Sequence, residues 1–478
     1  MLAHSVPFNP REPAEALSEL PLKPGVFALF AADPHAEPYL SRTTNLRRRI
    51  SRFLDARPAA PGVNSRRLQL AERVVRIEYT AAGSDLESTL VLYSASLQAF
   101  GERARKRLRL APPAFIRFAA HNPYPRAYVT NKLAKGAADH LYGPFPSRLA
   151  AERYLDEALN LFLLRRCTFE LHPDPAFPGC VYSEMKMCLA PCFKGCTDER
   201  YAEEAARVQA FLATRGSSLL DALAVERAAA SDAMEFEKAA AVHARVQKVQ
   251  AVAALAAEVV RPLAHLRATL VMPAAEPFHV ALFSLQSGLI SGPALYSVAG
   301  MRHPNEQSGS SSLYAHPFAL EPVPLIEAVP LSEAVRVQEG LSSLNGISSS
   351  EGLPGSEVQP TRDQPAGDGW VMAERRPVSE AASTKRASSA RRGILEARLD
   401  EAFATLAAPR PPDSQQTTAD HLCMFKRWYY RPAAQRTGEI IFHDQAAVPP
   451  TKAILRSISR VFRGASAPIQ GAVVPLIS

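Results

Sequence analysis

Pro24-Gly-Val-Phe-Ala-Leu-Phe-Ala-Ala32, followed by Tyr39-Leu-Ser-Arg-Thr-Thr-Asn-Leu-Arg-Arg-Arg49, decides how the front of this chain is built. Pro24-Gly25 opens an apolar run to Ala32 short enough for a strand, and Tyr39 to Thr43 reads as a second. Asn45 offers an N-cap, and from it an arginine-rich amphipathic helix runs to about Phe53. Arg73 to Thr80 reads as a third strand and Asp85 to Arg109 as a long helix. The pattern predicts an α/β (α+β) unit over residues 1–110, a small three-stranded sheet with flanking helices.

Working outward, Ala114 to Ala120 and Arg126 to Asn131 are strand candidates. Tyr142-Gly-Pro-Phe-Pro146 reads as a turn and Leu149 to Leu164 as a helix, within a connector spanning 111–197. Asp198 to about Val259 is rich in Ala, Glu, Arg, Leu and Val, which predicts a helical domain over 198–262. A small α/β segment, 263–338, contains a hairpin from Phe278 to Val298 turning at Ser287-Gly288. Residues 339–393 are dense in Ser, Gly and Pro without a sustained period, so disorder is expected there. A helix from Ile394 to Ala407 opens a last unit, 394–478. That unit holds Phe425-Lys-Arg-Trp-Tyr-Tyr-Arg431 and a strand from Glu439 to Phe442. Aromatics mixed with cations can stack on exposed bases, but anchoring of the tail by Trp428 and Tyr429 is the favoured reading.

A chain of 478 residues exceeds one ordinary core and should divide into domains. It carries 55 Lys and Arg against 47 Asp and Glu, a net +8. The excess is modest, yet its placement is not. Arg42, Arg47, Arg48, Arg49 and Arg52 cluster, as do Arg103, Arg105, Lys106, Arg107 and Arg109. Such clusters either neutralise phosphates or form a solvated helix face. No apolar run approaches the ~18 residues that cross a bilayer, and MLAHSVPFNPREP lacks a signal core. A cytoplasmic protein with reduced thiols and no membrane contact is expected.

Five of the six cysteines fall between Cys167 and Cys196. The spacing Cys167-x12-Cys180-x7-Cys188-x3-Cys192 brings four thiolates into one segment, with Cys196 a spare. In a reducing compartment this favours zinc or an iron–sulfur cluster over disulfides, and spacing alone does not choose. Cys423 reads as a small core residue.

Four collinear features carry a family resemblance. Residues 24–49 resemble the GIY-YIG nuclease signature, and Tyr142-Gly-Pro-Phe-Pro146 is similar to a turn that accompanies it. Cys167, Cys180, Cys188 and Cys192 resemble a four-cysteine segment. Phe236-Glu-Lys-Ala-Ala240 with Arg245 is similar to a UVR helical hairpin. Together, over about residues 20–260, they resemble the N-terminal half of the bacterial UvrC excinuclease family. That implies a nucleotide excision repair protein binding DNA and, through Phe236 and Arg245, UvrB. It also implies a [4Fe–4S] cluster on the four cysteines, with zinc as the alternative. Neither the family's RNase-H-like nuclease nor its helix-hairpin-helix motifs is found after residue 260.

By motif position, Tyr39 and Arg49 stand at catalytic places, and Arg42 replaces the usual lysine. Arg42, Arg47, Arg48 and Arg52 are the candidate DNA contacts. Phe27 lacks the first tyrosine's hydroxyl, Ser41 replaces a glycine, Ala104 an asparagine, and Leu92 the metal-binding glutamate. Glu87 lies five residues earlier, an offset of about 140° on a helix, so it faces elsewhere. Leucine offers a hard cation no oxygen, and Mg²⁺ or Mn²⁺ would be needed for cleavage. The resemblance therefore implies a retained fold with a degenerate nuclease site. Alternatives are an active endonuclease making a single incision beside a lesion, or a non-catalytic interaction protein. In the hairpin, Phe236, Ala239, Ala240, His243, Val246 and Val249 recur at helical spacing and predict one packing face.

Overall fold

The computed structural model describes residues 1–54, 72–134, 136, 138–299, 378–407, 415–443 and 449–464, with the backbone alone for 378–391. Residues 1–301 and 389–478 form one compact unit. A second comprises 302–388, of which only the start of a helix is described.

The elements in chain order begin with β1 (His4–Pro7), α1 (Pro13–Glu19), β2 (Gly25–Ala31), β3 (Tyr39–Thr43), α2 (Leu46–Leu54) and β4 (Val74–Ala81). These strands form an antiparallel sheet in the order β1-β4-β2-β3. The expected three strands are present, and β1 is added as an edge that the sequence reading did not foresee. Val6 is the buried residue of β1, too little alternation to register as a strand. Leu46, Ile50 and Leu54 of α2 are buried with Phe27, Leu29 and Ile77 of the sheet, leaving the arginines of α2 on its outer side.

Next come α3 (Asp85–Phe100) and α4 (Arg103–Arg107), one predicted helix divided in two. Gly101 takes a positive φ of 55°, which ends α3 and turns the chain before the arginines. The middle region is β5 (Ala114–Phe118), β6 (Ala127–Thr130), β7 (Leu141–Phe145), α5 (Arg148–Leu159) and the short α6 (Val181–Glu184). Strand β7 corrects the expected turn at Tyr142–Pro146. Glycine and proline suggested a bend, but a Cβ at Gly143 would lie 2.5 Å from the Phe115 ring, so glycine here admits a close packing partner. The helical tract is α7 (Asp198–Thr214), α8 (Ser217–Asp232) and α9 (Phe236–Ala253), followed by β8 (Arg261–Pro262), which closes the sheet β6-β5-β7-β8.

The last sheet is β9 (Arg267–Pro273), β10 (His279–Gln286) and β11 (Leu289–Ser297), with α10 (Val378–Leu406), α11 (Gln415–Tyr429), β12 (Glu439–Phe442) and α12 (Thr451–Phe462). Ser287 and Gly288 have φ of 48° and 93°, as the tight hairpin turn requires. Strand β12 pairs antiparallel with β9, so residues 263–299 and 394–464 share one sheet rather than forming separate units. Both faces of this sheet are covered. Val271, Val280 and Leu282 meet Leu399, Leu406, Ile454 and Ile458, while Leu270, Phe283 and Leu285 share a core with Leu422 and Phe425. Residues 339–377 of the expected disordered stretch lie outside the described residues, and from Val378 the chain is helical.

Helix α11 determines what the front domain presents. Phe425, Trp428 and Tyr429 are buried, which agrees with the anchoring reading. Buried Asp420 accepts from Tyr93 Oη at 2.9 Å and Arg105 Nε at 2.7 Å, and Arg427 donates to the carbonyls of Leu108 and Arg109. The tail helix is thereby docked against α3 and α4. Burial and the neighbouring Asp420 carboxylate push the Tyr93 phenol up to about 12.

Candidate nucleic-acid interface and cysteine site

The first site forms where α2 leaves β3. Asn45 Oδ1 accepts the Arg48 N–H at 2.9 Å and starts the helix. Ser84 caps α3 through the Glu87 N–H at 3.1 Å. Both helix starts open onto a cleft of about 580 Å³ lined by Arg42, Arg48, Arg49 and Arg52, with Gln435 and Thr437 at its edge. Peptide dipoles and four guanidiniums give it a strongly anion-binding character. Arg47 does not join them. Its Nε and Nη2 donate to the carbonyls of Leu20 and Ser18, each at 2.6 Å, tying α2 to the end of α1. Arg47, expected among the DNA contacts, braces these two helices instead of lining the cleft. The charge cluster in the sequence could not show which arginine faced inward.

The two candidate catalytic residues share one aromatic neighbour. The Tyr39 ring lies 6.1 Å from Phe27 and 5.1 Å from Phe53, while the Arg49 guanidinium stands 4.7 Å over Phe53. Both therefore pack on Phe53, and Tyr39 is absent from the cleft lining. Ser41 pairs with Phe27 between β3 and β2. Glu87 bends back to accept the Gly83 N–H at 2.8 Å, so it serves the helix start. Burial raises its carboxyl above the ordinary value, although the N–H groups of Gly83 and Ser84 oppose this.

Asp85 is the one carboxylate among the described residues lining the cleft. Its Oδ1 meets Arg42 Nη1 and its Oδ2 meets Arg431 Nη1, both at 2.6 Å. Leu92 lines a smaller adjoining cavity of about 260 Å³, shared with Met424, Arg427, Trp428 and Arg431. Leu92, at the place the resemblance gives to a metal-binding glutamate, is faced there by a helix from far along the chain. Sequence reading missed Asp85 and Arg431. The signal for Arg431 was the aromatic–basic stretch around Trp428, and Asp85 figured only as the start of a helix.

The cysteine segment winds through left-handed turns at Ala190 and Lys194. Burial pushes the Cys188 thiol up to about 11, and negative charge on Cys167, Cys192 and Cys180 adds to the effect. Cys192 is raised by burial and then by Cys180, with Cys167 contributing less. Cys188 and Cys192 thus each lie within electrostatic reach of Cys167 and Cys180. Cys196 is raised mainly by burial and Asp198, with only Cys192 of the four acting on it. Among the described residues, no three His, Cys, Asp or Glu side chains are close enough to hold a single metal ion.

Arg165 stands beside this group with 1% of its surface exposed. Its Nε donates to Tyr124 O at 2.9 Å, and Nη1 to Phe169 O at 3.1 Å and Cys167 Sγ at 3.6 Å. Arg165 Nη2 and Arg166 Nε are buried without partners. A buried unpaired N–H costs ~1–3 kcal/mol, so an acceptor beside Cys167 would relieve it. Sulfide and thiolate sulfur at that place fit the donors present.

In the helical hairpin, Val242, Val249 and Val252 of α9 are buried, as are Leu219, Leu223 and Ala230 of α8. The expected single face divides. Val249 is buried and Ala239 and Val246 are half-buried, whereas Phe236, Ala240 and His243 are exposed. Phe236 is 71% exposed and neighbouring Met234 76%, an apolar tip that no described element covers. Arg245 is also exposed.

Residues 114–211, from β5 to most of α7, include the whole cysteine segment. They match the family model of the UvrC/Cho excinuclease, middle domain. Over nearly half of its length the chain is similar to UvrABC system protein C. It is 30% identical to that protein of Proteus mirabilis over 211 residues, 43% of this chain and 33% of the other. It is 30% identical to that of Nitratidesulfovibrio vulgaris over 220 residues, 45% and 30% of the two chains. With that of Acidobacterium capsulatum it shares 31% over 221 residues, 45% and 33%. The chain thus spans about a third of the length of the curated relatives it matches. No solved structure matches. Among the described residues, no helix is long and apolar enough to cross a membrane.

Proposed function

We propose that this chain is a UvrC-like nucleotide excision repair protein that binds DNA in the arginine cleft without cutting it. One observation carries the reading. The cleft presents four arginines, while its lining carboxylate among the described residues, Asp85, has each oxygen 2.6 Å from a guanidinium. Phosphates find donors there, and the carboxylate that a divalent cation would need is already paired with two guanidiniums. A nicking assay on lesion-bearing plasmid with Mg²⁺ or Mn²⁺, run beside an anisotropy measurement of binding, tests it. Binding without nicking is expected. Nicking abolished by Arg49→Ala would refute the non-cutting reading.

The competing reading is an active endonuclease making one incision. It is favoured by the presence of Asp85 and Arg49 in the same cleft. Pairs as exposed as Arg42–Asp85 contribute only ~0–1 kcal/mol each, so a metal could displace them. Tyr39, however, is not among the residues lining that cleft.

The cysteine site supports a [4Fe–4S] cluster held by Cys167, Cys180, Cys188 and Cys192. Negative charge on Cys167, Cys192 and Cys180 raises the Cys188 thiol, while among the described residues no three such side chains are placed to hold one ion, and zinc would draw four sulfurs to ~3.8 Å apart. When bound, the cluster would supply a redox couple and a rigid link across the loop. Absorbance at about 400 nm after anaerobic purification is expected, and stoichiometric zinc in its place would exclude it. The hairpin tip at Met234 and Phe236 supports binding of UvrB. A pull-down should lose UvrB on Phe236→Ala and keep it if the hairpin packs only within the chain.

A further inference from the structure

A second basic cavity, of about 530 Å³, lies where the α7–α8 turn meets the ends of β8, β9 and β12. Its charged and titratable lining is Arg215, Arg261, Arg267, His265 and His443, and none of the described lining residues is acidic. It shares no lining residue with the arginine cleft at α2.

The basic groups come from separate elements, and two are braced in place. Arg261 donates through Nε to Glu258 O at 3.3 Å and lies 4.4 Å over the Phe442 ring. Glu258 Oε1 lies 3.9 Å from Arg261 Nη2. His443 is held through Nε2 by Thr269 Oγ1 at 2.8 Å. Arg267 is exposed at the start of β9. Arg215 ends α7 in left-handed backbone, φ 55°, where glycine is the usual residue. Ser217, the first residue of the sixteen-residue α8, lines the same cavity, and Gly216 before it offers no side-chain cap. The positive end of that helix adds to the side-chain charge.

Like charges converging on one cavity repel, and an anion relieves the repulsion. Guanidinium forks match phosphate oxygens two at a time. The volume exceeds that of one phosphate and suits a group of nucleotide size. We infer that this cavity is a second phosphate-binding site, taking a phosphate-bearing ligand of nucleotide size. The ligand is either a stretch of nucleic-acid backbone or a free phosphorylated compound. This goes beyond the proposed function and does not depend on the α2 cleft.

The test uses the full chain and the double variant Arg215→Ala/Arg267→Ala, with Arg267→Lys to preserve charge. Unchanged melting curves establish that the variants fold. One arm measures a labelled single-stranded oligonucleotide by anisotropy across salt. The other measures inorganic pyrophosphate by calorimetry. If backbone fills the cavity, the double variant lowers the salt slope by about 1.4 and weakens binding about 25-fold at 0.1 M salt, while Arg267→Lys retains most affinity. If a free phosphate compound fills it, oligonucleotide binding holds and pyrophosphate binding is lost. Unchanged binding of both probes removes the inference. Loss on Arg48→Ala/Arg52→Ala alone would leave the α2 cleft standing while this cavity falls.

Discussion

Arg48 and Arg52 provide the sharpest test of how the cleft binds. Of the five clustered arginines, Arg47 is held by the carbonyls of Ser18 and Leu20, Arg42 by Asp85, and Arg49 lies over Phe53. Arg48 and Arg52 are exposed and line the cleft. Each duplex phosphate contact contributes about 0.9 to the slope of log affinity against log salt. Arg48→Ala/Arg52→Ala should therefore reduce that slope by about 1.8. At 0.1 M salt the loss is about sixty-fold, or ~2.4 kcal/mol, and it fades toward 1 M. Arg47→Ala is the matched control. It should leave the slope unchanged and lower stability by ~1–3 kcal/mol, because charged donors to Ser18 and Leu20 disappear. Anisotropy against a fixed duplex at five salt concentrations, with thermal melts, reads both quantities. The reasoning is refuted if Arg47→Ala reduces the slope as much as the double variant does.

Three further outcomes are expected. Trp428→Ala should cost ~3–5 kcal/mol, seen as a lower Tm, because the indole is buried and its Nε1 donates to Thr437 O at 3.1 Å; a loss under 1 kcal/mol would contradict the anchoring role. Burial holds the Glu87 carboxyl above its ordinary value, so the folded state binds the extra proton. Stability from this group is present below the unfolded value and falls as pH rises through the folded one. Glu87→Gln should flatten that decline in a pH series of melts, and an unchanged pH profile would oppose it. Arg165→Leu removes the donor to Cys167 Sγ and should lower iron content and hasten bleaching in air; equal iron retention would show that the guanidinium does not serve the cysteine group.

The sequence made the local elements of the front sheet legible because their signals are local. Pro24-Gly25 opens β2, Asn45 caps α2, and Ser287-Gly288 turns the last hairpin, each within a few residues. The four cysteines were legible for the same reason. Long-range relations were not. The Asp85–Arg431 pair joins residues from opposite ends of the chain, and no periodicity reports it. Strand β12 was foreseen as a strand, but its pairing with β9 depends on packing against α11. Arg47 and Arg48 are neighbours of identical chemistry. Only the helical turn of about 100° between them sends one to carbonyls and the other to the cleft.

Manganese binding measures the central claim most directly, because the claim concerns oxygens rather than turnover. Titration of the apo chain with Mn²⁺, followed by electron paramagnetic resonance, should show no difference between the wild type and Asp85→Asn. A stoichiometric bound signal that vanishes in Asp85→Asn would show that the cleft holds a metal after all.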